Sequence, residues 1–380
     1  MASFPWYQLH EAGNCYSPSL LVYPDRIAHN IKVMCDMIGD TARLRPHIKT
    51  HKTAEIIRMQ QEAGIEKFKC ATLSEAELLG RCKAKDVLLA MQPAGPNIDR
   101  YLQLCWRYPG TTFSTLLDNE RSAKELADAA VQEEQEVNIY LDLNVGMNRT
   151  GIEPGPKAEK LYHFINELEG LAAKGLHVYD GHLRSKDPKA RQVSCDEAFE
   201  PVERLRDVLI KAGIKPVKII AGGSPTFPVH CNRKDVECSP GTTLLWDERY
   251  GSSFPELNFL PAAVLLTRVI SKPAEKLYCL DLGHKSIAPE MTFPRAKLLG
   301  YEKIEQLAQS EEHLVIRSEE NEKLEVGDEI YAIPMHICPT VAKYPKLQVV
   351  EKGEIVAEWR VAARDHVWQE KIRFKGRHRS

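Results

Sequence analysis

Short apolar runs alternate with amphipathic stretches over the first two-thirds of the chain. LRPHIKT (Leu44 to Thr50), KFKCAT (Lys67 to Thr72), DVLLAM (Asp86 to Met91) and TTFSTLL (Thr111 to Leu117) have the length and content of strands. VNIYLDLN (Val137 to Asn144), GLHVYDG (Gly175 to Gly181), VKIIAGG (Val217 to Gly223) and VECSPG (Val236 to Gly241) continue the series. Between them lie stretches with helical apolar spacing, such as TAEIIRMQQEAG, SEAELLGRC, NERSAKELADAAVQEE and DEAFEPVERLRDVLIKAG. Strands separated by helices predict an α/β fold, a (β/α)8 TIM-type barrel over residues 15–253. An open, doubly wound parallel sheet is the alternative.

After about Phe254 the texture changes. AAVLLTRVI, KLYCLDLG, HLVIRS, DEIYAIP and LQVVEKGEIVAEWRVAARD follow one another with little helical spacing between them. Residues 254–380, joined by residues 1–14, are therefore expected to form a mostly antiparallel β domain.

Composition narrows the class. No apolar run approaches the ~18 residues of a membrane helix. The opening MASFPWYQLHEAG has neither the basic nor the apolar region of a signal peptide. The net charge is -2 with both signs mixed along the chain, which gives no reason to expect nucleic acid or an anionic membrane as partner. Ten scattered cysteines without a CxxC read as reduced thiols of a cytoplasmic protein.

Three segments carry candidate chemistry. In LRPHIKT a two-residue period puts Arg45, His47 and Lys49 on one face and Leu44, Pro46 and Ile48 on the other. If the apolar face meets the outer helices, Lys49 points inward at the C-terminal mouth, where barrel active sites lie. The bland alternative is a solvated basic loop. AGGSPTFP follows the seventh strand, where barrels often bind phosphate. There Gly222 and Gly223 allow close backbone approach, and Ser224 and Thr226 offer hydroxyls. In PMHICPT, read as a strand or its end, His336 and Cys338 share a face and could meet one ion. Imidazole and thiolate suit Zn2+, and imidazole also suits Mn2+.

The ordered series RPHIKTHKT, KFKCATLSEAELL, LDLNVGMNRTGI, YDGH, AGGSPTFP, ECSPGT, DLGHKS and PMHICPT resembles the D-threonine aldolase and D-serine dehydratase family. That family belongs to the alanine-racemase-like, fold type III class of pyridoxal 5'-phosphate (PLP) enzymes. The resemblance implies that Lys49, first lysine of KTHK, carries the cofactor, with Lys52 as runner-up. It implies that Arg149 reaches the cofactor and substrate, that Tyr179 touches the cofactor ring, and that His182 is an acid/base candidate. A Schiff-base lysine is helped by neighbouring cations, for which Arg45, His47 and His51 are the candidates. Thr243 stands where the family commonly has an aromatic residue, so no tyrosine–phosphate contact is carried over. The HxC pair corresponds to the family's catalytic divalent-metal motif. Aldolases of the family often carry aspartate at the second position and zinc-dependent dehydratases cysteine, so Cys338 pulls toward the latter.

The resemblance thus implies a lyase acting on β-hydroxy-D-amino acids. D-threonine aldolase is slightly favoured over D-serine dehydratase. An amino-acid racemase and a non-catalytic PLP carrier are further alternatives, the carrier disfavoured by the long β domain. A metal near Lys49 requires that domain to lean over a barrel mouth, its own or that of a homodimer partner.

Overall fold

The computed structural model describes residues 5–215, 217–318 and 324–366. Strand β1 (Ser19–Val22) and helix α1 (Pro24–Ile38) lead into a barrel of alternating strands and helices. These are α2 (Ala54–Glu62), β2 (Lys67–Cys70), α3 (Leu73–Arg81), β3 (Asp86–Leu89), α4 (Pro96–Arg107), β4 (Thr112–Leu117) and α5 (Glu120–Gln132). They continue with β5 (Val137–Leu143), α6 (Pro156–Glu167), β6 (Leu171–Val178), α7 (Pro188–Lys211), β7 (Lys218–Ala221), α8 (Phe227–His230), β8 (Val236–Cys238) and α9 (Glu248–Ser253).

The seven strands β2 to β8 pair in parallel and in sequence order. The first predicted strand closes the ring, but only as far as His47, through isolated parallel bridges Leu44↔Cys238 and His47↔Lys69. Arg45 N and His47 N donate to Cys238 O and Pro240 O at 2.9 and 2.8 Å, and Pro46 O accepts from Lys69 N at 2.9 Å. Pro46 has no N–H to return to the β2 side, so no continuous ladder forms there. Closure, not an open doubly wound sheet, is the outcome.

Apolar residues of the strands that face outward, such as Phe68, Val87, Leu117 and Leu141, meet the apolar stripes of the helices in one large core. A small inner layer of Leu88, Leu116, Tyr140 and Ile220 fills the barrel. Below it, at the N-terminal ends of the strands, fully buried Arg45 binds Asp86 at 2.7 Å and Glu237 at 2.8 Å, and Lys67 binds Glu237 at 2.5 Å. Tight helix starts hold the outer ring; for example, Thr72 caps α3 by accepting Glu75 N, and Asn119 caps α5 by accepting Ser122 N.

The second sheet is built from β9 (Ala263–Ala274), β10 (Leu277–Leu280), β11 (Ala296–Leu298), β12 (Glu305–Gln309), β13 (Leu314–Arg317) and β14 (Glu329–Pro334). Helix α10 (Ile337–Val341), β15 (Lys346–Glu351) and β16 (Glu354–Arg360) complete it. Its order is β12-β13-β10-β9-β1-β15-β16, with β14 on β9 and β11 on β14. All its pairings are antiparallel except β1 with β15. Strand β1 comes from the stretch expected in the barrel and lies inside this sheet. Residues 1–4 and 367–380, assigned to the same domain from sequence, lie outside the described residues. No described helix is long and apolar enough to cross a membrane.

Candidate active site

The mouth is formed where the parallel strands end. Past His47 the chain does not stay extended as expected: Ile48–Thr50 is one 3-10 turn, and the His47 ring accepts Lys49 N at 3.3 Å. The turn leaves Lys49 half-buried at the mouth, its Nζ 5.7 Å from the Tyr179 ring centroid. Lys52 is committed elsewhere: its ammonium pairs with the fully buried Glu75 carboxylate, which also accepts Ala71 N at 2.7 Å.

The cations expected beside Lys49 are not available. Arg45 is spent on the floor. Burial, then the charges of Lys49 and Lys69, hold His47 well below its ordinary range, and burial pushes His51 down to about 3. The neighbouring cation is Lys69, which the sequence reading did not single out. It is 2% exposed, and its Nζ stands 5.6 Å from the same Tyr179 centroid. The signal was present in KFKCAT: Phe68 and Cys70 face the helices, so Lys67 and Lys69 must face inward.

Arg149 Cζ is 5.1 Å from the Tyr179 centroid, so three cationic side chains meet one ring. On the strands below, His177 Nδ1 and Asp142 Oδ1 are 2.7 Å apart and both residues are buried. His182 is exposed at the rim, where a Cβ on Gly146 would come within 2.8 Å of its Nε2. Among the described residues no hydrogen bond joins it to Lys49 or Tyr179.

The loop after β7 lies at this same end. Gly222 has φ +79, and a Cβ there would meet the His230 ring at 2.7 Å, so only glycine fits. At Gly223 a Cβ would lie 3.2 Å from the Tyr179 ring. Ser224 Oγ accepts Gly241 N and Thr242 N at 3.2 and 3.0 Å, tying this loop to the one after β8. Thr226 Oγ1 accepts Gly223 N at 3.2 Å and donates to Asp180 Oδ1 at 2.7 Å.

Asp180, Cys195 and His230 offer three buried donor atoms within 4.8 Å of one another. They form a hydrogen-bonded relay rather than a cation site. Arg233 donates to His230 Nδ1 at 3.1 Å, so the ring proton sits on Nε2, which donates to Asp180 Oδ2 at 2.8 Å. No ring lone pair is left for an ion. Burial pushes the Cys195 thiol up to about 12, so it is not a thiolate. Burial alone would raise Asp180, but hydrogen bonds from His230 and Thr226 hold it below the ordinary range. The relay stiffens the Gly222–Thr226 loop from beneath; only an aspartate facing the helices in YDGH hinted at it.

PMHICPT is not a strand. β14 ends at Pro334, His336 is the extended residue before α10, and Cys338 lies in the first turn of that helix. The two side chains still meet. Burial alone would lower His336, but Cys338 and the Glu290 carboxylate raise it to about 9. Burial would raise Cys338, but His336 and then Lys49 lower it. Thr50 Oγ1 and Thr242 Oγ1 lie 3.1 and 3.6 Å from Cys338 Sγ, so α10 sits on the Lys49 turn within one chain. Glu290 Oε1 is 2.5 Å from His336 Nδ1, a contact with no signal in the sequence. Imidazole plus a depressed thiol is a donor set that suits zinc.

The mouth also fits an anionic aromatic cofactor. His177 Nε2 and Ser239 Oγ are buried without a hydrogen-bond partner among the described residues. Both belong to inward positions, His177 two before Tyr179 and Ser239 two after Glu237. A half-buried lysine and a glycine cradle thus meet at Tyr179, and two unsatisfied polar atoms lie at inward positions of neighbouring strands.

Comparison with known proteins decides the family. The profile of alanine racemase, N-terminal domain, matches residues 22–247, and that of a putative serine dehydratase domain matches residues 262–350. The chain is a member of the alanine-racemase-like family, in its D-threonine aldolase and D-serine dehydratase branch. This fold class implies PLP. The chain is 25% identical to a 3-hydroxy-D-aspartate aldolase of Paracoccus denitrificans, over 92% of each. It is 23% identical to a D-threo-3-hydroxyaspartate dehydratase of a Delftia species, over 93% of this chain and 98% of that one. A crystal structure of D-threonine aldolase from Filomicrobium marinum superposes with a TM-score of 0.87 at 24% identity, over 97% of this chain and all of that one. Curated relatives named as aldolases or dehydratases match along most of this chain, whereas those named as alanine racemases match about half of it.

Proposed function

We propose that the protein is a PLP- and divalent-metal-dependent lyase of β-hydroxy-D-amino acids, acting as an aldolase of the D-threonine type. The observation that carries this reading is the seating of the His336–Cys338 turn on the Lys49 turn, with Thr50 Oγ1 3.1 Å from Cys338 Sγ. An amine that can hold the cofactor and a pair that can hold an ion then share one mouth, within reach of one small substrate. A racemase has no need of the second feature.

In this reading Lys49 attaches the cofactor, Gly222, Gly223 and Ser224 receive its phosphate, Thr226 braces that loop against Asp180 rather than offering its hydroxyl, and Tyr179 and Arg149 border its ring. PLP supplies the electron sink that lets a bond to the substrate's Cα break. His336 and Cys338 would hold a divalent ion that stabilises negative charge on the β-oxygen. The imidazolium must first give up its proton to serve as ligand, so metal uptake releases a proton. Cleavage then requires loss of the β-hydroxyl proton and breaks Cα–Cβ, giving glycine and an aldehyde. His182, at the rim, is the candidate to exchange that proton with solvent.

Cys338 favours a second reading, D-serine dehydratase, in which Lys49 takes the Cα proton and hydroxide leaves, giving a 2-oxo acid and ammonia. The test supplies D-threonine, D-serine and 3-hydroxy-D-aspartate to PLP-loaded protein, with and without Zn2+ or Mn2+. Glycine plus aldehyde supports the aldolase, and 2-oxo acid plus ammonia the dehydratase. Activity that persists after thorough chelation and in His336→Ala/Cys338→Ala would reject the metal mechanism.

A further inference from the structure

The proposed reaction makes no use of Lys69. Its inward neighbour on β2, Lys67, is neutralised by Glu237 at 2.5 Å. One step nearer the mouth, Lys69 has no ion-pair partner among the described residues, although it is 2% exposed. Its Nζ rests 5.6 Å from the Tyr179 ring centroid, on the ring that Lys49 and Arg149 also face. The attraction of a cation to an aromatic face is weak and does not offset the burial of an unpaired ammonium.

The groups around it do not neutralise it. Arg45 and His47 act on it from the closing strand, Lys49 from the turn, Asp142 from β5 and His177 from β6, while Asp180, after β6, acts from the helix-facing side. Asp142 is bound to His177, and Asp180 to His230 and Thr226. Burial first, then Lys49, pulls the Lys69 amine down to about 7. The interior therefore holds a half-charged amine near His177, whose Nε2 is buried without a hydrogen-bond partner among the described residues.

We propose that Lys69 is a cofactor-binding cation, an interior amine that meets the negative charge PLP brings into the mouth. The proposal rests on reading that mouth as the cofactor site. An anion arriving beside Lys69 stabilises its charged form, so cofactor binding draws a proton onto it.

Calorimetry of PLP binding at about pH 8, in two buffers of different ionisation enthalpy, counts the protons taken up. Wild type, Lys69→Arg and Lys69→Met are compared, and inorganic phosphate is titrated alongside. Arginine keeps the charge but cannot titrate, so Lys69→Arg should bind PLP about as well as wild type while taking up close to one proton less. Lys69→Met should bind PLP about tenfold or more weakly, as expected for loss of a charge-assisted contact. The arginine comparison stands alone if the methionine variant fails to fold. Extra uptake with inorganic phosphate as well assigns Lys69 to the phosphate, and extra uptake with PLP alone assigns it to the ring oxygen. Equal uptake by wild type and Lys69→Arg would overturn the proposal while leaving the cofactor site intact. A wild-type chain that holds no PLP would overturn the reading of the mouth, and this proposal with it.

Discussion

At the floor of the barrel each cation has an anion; at the mouth, three cations share one tyrosine ring. Arg45 is clasped by Asp86 and Glu237, and Lys67 by Glu237. A few ångströms up the same strands, Lys49, Lys69 and Arg149 crowd Tyr179, while the nearby carboxylates of Asp142 and Asp180 are committed to His177 and His230. Only Lys69 continues the strand alternation that builds the floor; Lys49 comes from the 3-10 turn and Arg149 from the loop after β5, so the two levels differ in both backbone and partners. Closed charge serves the fold. The buried, unpaired charge of Lys69 destabilises the empty protein, and a ligand that arrives with the opposite sign would relieve it.

The comparison can be broken at each level. The largest effect belongs to the mouth: Lys49→Ala should lose covalently held PLP entirely, whereas Lys52→Arg should keep it. Borohydride reduction followed by peptide mass spectrometry checks this, and the reduced cofactor found on Lys52 would transfer the role. At the floor, Arg45→Met removes the main counter-charge of half-buried Asp86 and of part of Glu237, and should cost about 3 kcal/mol of stability. Denaturant unfolding measures it; a loss below 1 kcal/mol would mean that the floor is not held by charge.

At the metal pair, Glu290→Gln should weaken metal binding about 10–100-fold, because a carboxylate on the far nitrogen orients a ligating histidine. Competition with a chromophoric chelator reads that affinity, and an unchanged value would reduce the Glu290–His336 contact to a surface ion pair. The last effect is a slope. Lys69 titrates at about 7 in the folded chain and near 10.4 when unfolded. Between those values the unfolded chain binds more protons, so stability of the PLP-free protein should rise with pH there. Lys69→Met should flatten that rise. Identical slopes would show that the amine is not under strain.

Much of this was legible in the chain. Tyr179 was singled out by the family resemblance alone, whereas the two-residue period of LRPHIKT put Arg45, His47 and Lys49 on the face opposite Leu44 and Ile48. The same rule applied to KFKCAT would have revealed Lys69. What periodicity could not convey was where it stops. Pro46 interrupts the ladder, so Lys49 arrives on a 3-10 turn rather than a strand. His336 and Cys338 converge across a helix start instead of a pleat. Contacts between distant segments, such as Glu290 with His336 or Asp180 with His230, depend on how the elements close in space and leave no local pattern.

Strand β1 fixes the order in which the molecule can be completed. Leu20, Leu21 and Val22 are buried between β9 and β15, yet both neighbours are made only after the whole barrel has been synthesised. At ordinary translation rates that interval is on the order of tens of seconds. Throughout it, a short apolar segment waits beside a growing chain without its sheet. The last sheet to close is thus anchored by one of the first strands to appear, and this long-range pairing makes it a slow step of folding. Deleting residues through Val22 would leave a slot between two strands that no later segment could fill, so the barrel could form while the sheet that carries His336 and Cys338 over its mouth would not.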